Sequence, residues 1–383
     1  MQSQKLKFNI EPGVSYLNCA NIAPLMTSLK EEGVNALERR QQPYKIQRQD
    51  WFEPVDEVKR QFAQLIKCPD PDRIALIPSV SYGMATVARN IGLKPGDELV
   101  LLEEQYPSNY YSWQALAAET GAGIVTVKAP ESFENKGEAW NEAILNAINE
   151  RTKVVALGQV HWTDGTRFGL VQIGERARAV GAKLIIDGSQ SVGALPFNIQ
   201  EIRPDALFCV GYKWLLGPFS LGLAYFGEAF DNGSPLEENW INREGSDDFQ
   251  NLVNYTPDYR PKAGRYSVGE NSNFHLLPIL KGALVQLNEW GVANIQDYCQ
   301  QLTAIPINEL TQLGCIVEKQ ESRAAHLFGI RFRKEVDLSR LNALFVENQI
   351  YVSLRGTAVR VSVNVFNDQN DMDKLVETIK RVL

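Results

Sequence analysis

The 383-residue chain has no excess of positive charge. It contains 39 Lys and Arg residues against 46 Asp and Glu residues, which gives a formal net charge of −7. A protein that binds nucleic acid needs basic residues to neutralise phosphates, so we expect no nucleic-acid partner. The chain also has no long uncharged apolar run and no basic N-terminal segment followed by an apolar one. We therefore expect a soluble, cytoplasmic protein without a membrane partner.

Patterns typical of metal sites and disulfides are missing as well. The five cysteines show no CxxC spacing and no histidine partners at zinc spacing, and the three histidines are scattered along the chain. An odd number of cysteines without a secretion signal favours reduced thiols. We expect no metal.

Neither of the common glycine-rich nucleotide loops is present. No G-x-G-x-x-G opens a helix, and there is no G-x-x-x-x-G-K-[ST], so the chain is not predicted to be a dinucleotide-binding or P-loop protein. Residues 74–226 instead contain about seven short apolar strands, separated by helical or loop segments. This spacing predicts one large α/β domain with a mostly parallel sheet.

Two of these apolar runs end in polar residues. Residues 184–186 lead into Asp187, and residues 207–210 lead into Lys213 after a Gly-Tyr pair. Ligands in open α/β sheets bind at the carboxyl ends of the strands, so the two residues form either a site or a structural ion pair. Pyridoxal phosphate chemistry uses such a pair. The lysine attaches to the cofactor aldehyde, and the carboxylate keeps the pyridine nitrogen protonated.

The stretch resembles the fold-type I pyridoxal-phosphate enzymes of the class V aminotransferase family, which includes cysteine desulfurases, isopenicillin-N epimerase-like proteins and kynureninase. The resemblance rests on the Asp-Gly-Ser-Gln turn at 187–190 and on Lys213 followed by Gly-Pro at 217–218. It implies that Asp187 faces the pyridine nitrogen and that Lys213 is the catalytic, Schiff-base lysine. It also implies that Gln190 faces the ring hydroxyl.

A helix predicted after the strand at 74–77 begins close to Ser79 and Ser81. The free N–H groups of a helix N-terminus bind anions, but Ser79 and Ser81 could equally serve as simple caps. The family resemblance implies that the backbone of Val80 and the side chain of Ser81 hold the cofactor phosphate.

Three aromatic side chains extend the predicted cofactor site. By the resemblance, Tyr106 stacks on the cofactor ring, although a surface tyrosine in a Pro-containing loop is the alternative. Tyr212 would lie near the phosphate. His161 follows the strand at 153–157, where relatives place a small polar residue or Asn against the ring hydroxyl. A histidine there would face the substrate or be structural.

Substrate contacts are predicted at Asn21 and Arg360. Asn21 lies in an N-terminal segment that lines the substrate side in the family, although a plain connector fits equally well. An arginine fork suits a carboxylate, and the Val-Arg-Val-Ser pattern at 359–362 resembles the arginine that holds the substrate α-carboxylate. A surface ion pair is the alternative for Arg360, and Arg355 is a second candidate.

The chain departs from the family pattern at two places. Glu270 replaces a Thr that reaches the partner subunit's phosphate, so Asn271 or Ser272 would have to supply that contact. Cysteine desulfurases carry a nucleophilic cysteine just after the position of Arg355, and no cysteine occurs between Arg355 and Arg360. A persulfide-forming desulfurase is therefore not expected.

These observations predict an α/β protein of fold type I with three parts. Residues 1–24 line the site, residues 25–272 form the large cofactor-binding domain, and residues 273–383 form a small α+β domain. We expect a homodimeric enzyme that acts on an amino acid or amine with pyridoxal 5'-phosphate, foremost of the aminotransferase type. An epimerase, a C–S or C–C lyase, or a non-catalytic regulatory protein that binds the cofactor are the alternatives.

Overall fold

The computed structural model describes residues 1–132 and 135–383. The strands of this part of the chain are β1 Ser15–Tyr16, β2 Ile74–Ile77, β3 Glu98–Leu102, β4 Gly123–Val127, β5 Thr152–Gly158, β6 Lys183–Asp187, β7 Ala206–Val210, β8 Gly222–Phe226, β9 Cys315–Ile316, β10 Leu327–Phe332, β11 Ile350–Tyr351, β12 Ser353–Arg355 and β13 Ala358–Ser362. The helices are α1 Thr27–Arg40, α2 Glu53–Leu65, α3 Val80–Arg89, α4 Tyr111–Thr120, α5 Lys136–Ala147, α6 Leu170–Ala179, α7 Ile199–Ile202, α8 Leu277–Trp290, α9 Val292–Gln312, α10 Leu338–Glu347 and α11 Gln369–Lys380.

A seven-stranded sheet with the order β2-β8-β7-β6-β5-β3-β4 forms the centre of the protein. β8 runs antiparallel to both of its neighbours, and the other neighbouring pairs are parallel. The predicted α/β fold with a mostly parallel seven-stranded sheet is confirmed. The carboxyl ends of β3, β5, β6 and β7 therefore meet along one edge.

Both faces of the sheet are buried, which explains why the strands read as continuous apolar runs. Alternate residues point to opposite faces: Leu184 and Ile186 join one apolar cluster, whereas Ile185 joins the other. The sequence pattern predicts strands at 74–77 and 327–332 and a helix at 338–347, and β2, β10 and α10 have these bounds.

Two predicted segments differ from the structure. The polar composition of residues 131–139 predicts a surface loop, but α5 already begins at Lys136, whose ammonium group is buried against Asp164 at 2.5 Å. Residues 133 and 134 of that predicted loop lie outside the described residues. The strand expected at 315–320 ends at Ile316 because only Cys315 and Ile316 pair with β10.

The C-terminal part forms a second sheet with the order β12-β13-β10-β9. The N-terminal segment contacts this C-terminal part. Strand β1 pairs in parallel with β11 in a separate two-stranded sheet, and the Leu17 carbonyl accepts a hydrogen bond from the Ser362 amide at the end of β13 at 2.9 Å. Helix α8 packs against α1 and α2. The division at residues 24 and 272 stays a prediction. None of the described helices is long and apolar enough to cross a membrane.

Helix α3 lies close against β7 at Gly83, where an added Cβ would come within 3.0 Å of the Phe208 ring. Alanine is the better helix former, but overpacking a core costs about 1–3 kcal/mol. We therefore expect Gly83→Ala to lower the free energy of unfolding by that amount, as measured by urea denaturation. Gly92→Ala is the control, because a Cβ there meets no atom within 4 Å. Equal effects at both glycines would contradict this packing.

Candidate active site

A cleft of about 910 Å³ lies at the carboxyl edge of the large sheet. The loops after β2, β3, β5, β6 and β7 form its walls. The cleft brings together every predicted cofactor residue: Val80, Ser81, Tyr106, His161, Asp187, Gln190, Tyr212 and Lys213.

Lys213 is buried in this cleft, with 6% of its surface exposed. Its Nζ lies 5.3 Å from the centre of the Tyr106 ring and 5.7 Å from that of Tyr212. No hydrogen bond reaches this Nζ from the described residues. Burial lowers the pKa of Lys213 to about 8, although Asp187 acts in the opposite direction. The site therefore holds an amine that loses its proton far more readily than an ordinary lysine.

Asp187 ends β6, one strand away from the lysine. Its Oδ1 accepts a hydrogen bond from the backbone N–H of Ser189 at 3.0 Å. Burial raises the pKa of Asp187 above its ordinary value, against the effects of Ser189 and Lys213. Asp187 and Lys213 form no ion pair, so the structural-pair alternative from the sequence is wrong. No cation of the described residues pairs with this carboxyl group, and a protonated pyridine nitrogen would supply one.

The structure assigns the cap of α3 to Ser79, while the phosphate contacts of Val80 and Ser81 stay predictions. The Ser79 Oγ accepts a hydrogen bond from the Tyr82 N–H at 3.2 Å, so Ser79 is the cap. The N–H groups of Val80 and Ser81 have no acceptor among the described residues, and both residues line the cleft. This helix end therefore offers two free donors and the positive end of its dipole to an anion.

Gln190 is held by contacts that the sequence did not suggest. Its Nε2 donates to the Ala20 carbonyl at 3.1 Å, and its Oε1 accepts from the Trp214 Nε1 at 2.9 Å. The Gln190 carbonyl lies 2.8 Å from the Nε2 of His326, which burial keeps neutral by lowering its pKa to about 4. The contact of Gln190 with the ring hydroxyl stays a prediction. Trp214 and His326 carry no local motif that could have identified them.

His161 is buried, and its two ring nitrogens have different surroundings. Nδ1 lies 2.8 Å from the Thr163 Oγ1 and 3.5 Å from the Asp164 Oδ1. Nε2 is buried and has no partner among the described residues. One nitrogen is therefore anchored in the structure, and a contact between the other and the cofactor or substrate stays a prediction.

Two tyrosines stand at the mouth of the cleft. Tyr106 is 39% exposed, and its ring packs edge-on against Trp162 with centres 5.4 Å apart. Tyr212 packs against Phe219 at 4.3 Å. Tyr106 thus forms part of the cleft wall. Its stacking on the cofactor stays a prediction, as does the place of Tyr212 beside the phosphate.

Arg360 is 2% exposed, so the alternative of a surface ion pair is wrong. Its Nη1 donates to the Trp162 carbonyl at 3.1 Å and its Nη2 to the Ser353 Oγ at 3.3 Å, while Nε has no partner. No carboxylate of the described residues pairs with it. Burial lowers its pKa to about 10, and the nearby Arg355 acts in the same direction. A buried guanidinium without an acid is suited to an anionic ligand.

The Arg360 side chain does not line the cleft, although its Nη1 binds the carbonyl of Trp162, which does. The remaining predicted contacts do not reach the cleft of this chain either. Asn21 is exposed and is absent from the cleft walls. Glu270 is exposed with a positive φ of 58°, Asn271 is buried, and the Ser272 Oγ donates to the Trp51 carbonyl. The substrate contact of Asn21 and the phosphate contacts of residues 270–272 with a partner subunit therefore stay predictions.

Comparison with known proteins identifies the family. The model for class V aminotransferases matches residues 35–375. The chain belongs to the class V aminotransferase family. An uncharacterized aminotransferase of Schizosaccharomyces pombe is 24% identical over 86% of this chain and 82% of its own length. A cysteine desulfurase of Escherichia coli is also 24% identical, over 86% of this chain and 82% of its own length.

Solved structures of this family type share the fold. The cystine C–S lyase C-DES, in complex with its product cysteine persulfide, superposes with a TM-score of 0.86 at 19% identity and covers 97% of this chain and 98% of its own. A C-DES mutant with glycine covalently linked to the PLP cofactor gives a TM-score of 0.88 at 18% identity, over 99% and 100% of the two chains. The cysteine desulfurase CsdA of Escherichia coli gives 0.80 at 20% identity, over 98% and 96%.

The lowered pKa of Lys213 makes stability depend on pH. Between its folded pKa of about 8 and the ordinary value of 10.5, the unfolded chain binds more protons than the folded one. The free energy of unfolding contributed by this group therefore rises with pH, by about 1.4 kcal/mol per unit at most. The comparison is the free energy of unfolding of Lys213→Met minus that of the cofactor-free native protein. We expect this difference to fall between pH 8 and pH 10 in urea titrations.

The matched control for this pH series is Lys334→Met, which changes an exposed lysine. Its stability difference from the native protein should stay flat over the same range. A flat difference for Lys213→Met would show that Lys213 titrates like a solvent-exposed lysine.

Proposed function

We propose that this protein is a pyridoxal 5'-phosphate-dependent enzyme that acts on an amino acid through Lys213, foremost as an aminotransferase. One observation carries the proposal. A buried amine with a lowered pKa and a carboxyl group with a raised pKa lie at neighbouring strand ends in one cleft, without neutralising each other. Perturbed groups of complementary character in a cleft are typical of active sites.

The residues of the cleft fit the cofactor at both of its ends. The free N–H groups of Val80 and Ser81 suit its phosphate, and Asp187 suits the protonated ring nitrogen at the far side. When bound, pyridoxal phosphate withdraws electrons from the substrate α-carbon. The class V family and the shared fold agree with this cofactor.

Lys213 has two tasks in the proposed reaction. Its Nζ would hold the cofactor, and the same Nζ would move the α-proton of a bound substrate. A general base works best when its pKa lies near the working pH, and burial brings the pKa of Lys213 to about 8.

Arg360 orients the substrate in this scheme. A buried charge without a counterion costs free energy, and a substrate carboxylate would remove that cost. The planar guanidinium is fixed by the Trp162 carbonyl and the Ser353 Oγ, which leaves its unpartnered Nε as a donor. We infer that the substrate is an α-amino acid for this reason.

A lyase is the second candidate reaction, because the fold matches that of the cystine C–S lyase C-DES over nearly the whole chain. A desulfurase that uses a cysteine on the hairpin after Arg355 is not supported. The hairpin turn consists of Gly356 and Thr357, and all five cysteines of the chain are buried elsewhere.

We propose a cytoplasmic homodimer. The free state of the five cysteines agrees with a reducing compartment. Phe219 lies at the mouth of the cleft with 60% of its surface exposed. A large apolar side chain at the rim of an active site is suited to burial by a second copy of the chain.

Lys213→Ala tests the covalent link to the cofactor. The native protein, loaded with pyridoxal phosphate, should absorb in the visible, and borohydride should fix the cofactor to the peptide that contains Lys213, as seen by mass spectrometry. We expect Lys213→Ala to lose this adduct, because no other amine lines the cleft of the described residues. Lys334→Ala, at an exposed lysine, should keep it. An adduct elsewhere in the native protein would refute the proposed role.

The reaction type follows from the products of single turnovers with a panel of L- and D-amino acids. A transaminase converts the amino acid to its keto acid and leaves the amino group on the cofactor. A lyase releases ammonia, or a sulfur product from cystine, and leaves the cofactor unchanged. A loaded protein that turns over no member of the panel would support a non-catalytic cofactor-binding protein instead.

The homodimer is tested by light scattering during gel filtration. We expect a mass twice that of the chain for the native protein. Phe219→Asp should raise the dimer dissociation constant, because a carboxylate at a buried contact is costly. Val346→Asp is the control at another exposed apolar side chain, 72% exposed on α10, and it should leave the mass unchanged. A monomeric native protein would refute the proposal.

A further inference from the structure

Three side chains of the hairpin formed by β12 and β13 share one face. Ser353 and Arg355 are two residues apart on β12, and Ser353 pairs directly with Arg360 on β13. Side chains at such positions point to the same side of a sheet. The hydrogen bond from the Arg360 Nη2 to the Ser353 Oγ agrees with this arrangement. Two guanidinium groups therefore lie on the face that looks toward Trp162.

The two arginines contact Trp162 in different ways. Arg360 donates to its carbonyl oxygen, whereas the guanidinium of Arg355 lies over its indole ring, with Cζ 5.5 Å from the ring centre. The Arg355 Nη1 donates to the Leu354 carbonyl at 2.8 Å, and its buried Nε has no partner. Within residues 1–132 and 135–383, no carboxylate forms an ion pair with either arginine.

Arg355 faces a second cavity, open to solvent, that adjoins the cofactor cleft. The two spaces share Gln105 and Trp162 as walls. Arg360 lines neither space, but it binds the carbonyl of Trp162, which is a wall of both. A ligand whose α-carboxylate reaches Arg360 would therefore extend past Trp162 toward Arg355. The second cavity is open enough to hold a substrate side chain.

The other charges that line this cavity are Lys136, Arg331, Glu104 and Glu131. Lys136 and Arg331 are bound to the buried Asp164, at 2.5 Å and 3.2 Å. Glu104 and Glu131 are exposed on the rim. Among the cations that line this cavity, Arg355 is thus the one that pairs with no acid of the described residues. Its planar guanidinium can bind both oxygens of a carboxylate.

We propose that Arg355 binds a second carboxylate, on the side chain of the substrate, so that the enzyme prefers dicarboxylic amino acids. This inference rests on the proposed function, because it assigns the substrate class of the same site. The α-carboxylate binds Arg360, and the side chain passes Trp162 to place its own carboxylate at the Arg355 guanidinium. The neutral amide of such a substrate lacks the charge that this guanidinium attracts.

The test compares acids with their amides in the cofactor-loaded protein. Values of kcat/KM are measured for L-glutamate against L-glutamine, L-aspartate against L-asparagine, and L-2-aminoadipate as a longer acid. We expect at least one acid to exceed its amide tenfold or more. Arg355→Gln should lower that ratio at least tenfold, and Arg355→Lys should retain an intermediate ratio because it keeps the charge but loses the fork.

Arg340→Gln, which changes an exposed arginine on α10, is the control and should keep the native ratio. A native enzyme that does not prefer the acids would overturn the proposal. So would an Arg355→Gln variant that slows acids and amides equally, since Arg355 would then serve the α-carboxylate. These outcomes differ from a failure of the proposed function, in which no amino acid is turned over by the loaded native protein.

Discussion

The arrangement of the active site depends on two ionisable groups that are buried near each other without forming an ion pair. Asp187 ends β6, and Lys213 lies in the turn after the neighbouring parallel strand β7. If they touched, the carboxylate would keep the lysine protonated and useless as a base. Because they do not, burial shifts both pKa values toward the neutral forms. Each buried group without a partner costs free energy. A ligand that places a cation beside Asp187 and an electrophile beside Lys213 would remove both of these costs.

The sequence predicted this centre because its signal is local. Apolar runs that end abruptly in Asp187 and in Lys213 indicate strand ends, and parallel strands place such ends at one edge. The fold class and the residues that line the cleft followed from the same pattern and from the family resemblance. Contacts between residues far apart in the chain determine features that the local sequence pattern does not predict. Helix α5 begins at Lys136, inside the segment predicted as a loop. The ammonium group of Lys136 forms an ion pair there with Asp164, a residue from a distant loop.

Roles that depend on contacts between distant parts of the chain could not be predicted from the sequence. Nothing near Gln190 in the chain indicates that Trp214 and Ala20 hold its amide, because those bonds form only when three separate segments meet. Arg355 was predicted only as a second candidate for the substrate carboxylate. Its neighbours in sequence do not show that it shares a face with Arg360, since the register of β12 on β13 decides this.

The N-terminal segment has a consequence for the order in which the chain folds during synthesis. Strand β1 pairs with β11, and the Ala20 carbonyl holds Gln190, so the first twenty residues find partners across most of the length of the chain. A ribosome must release residue 351 before β1 has its neighbour. The large sheet can assemble earlier, because its strands end at Phe226. The strand pairing of the N-terminal segment is therefore possible only after all strands of the large sheet have been synthesised.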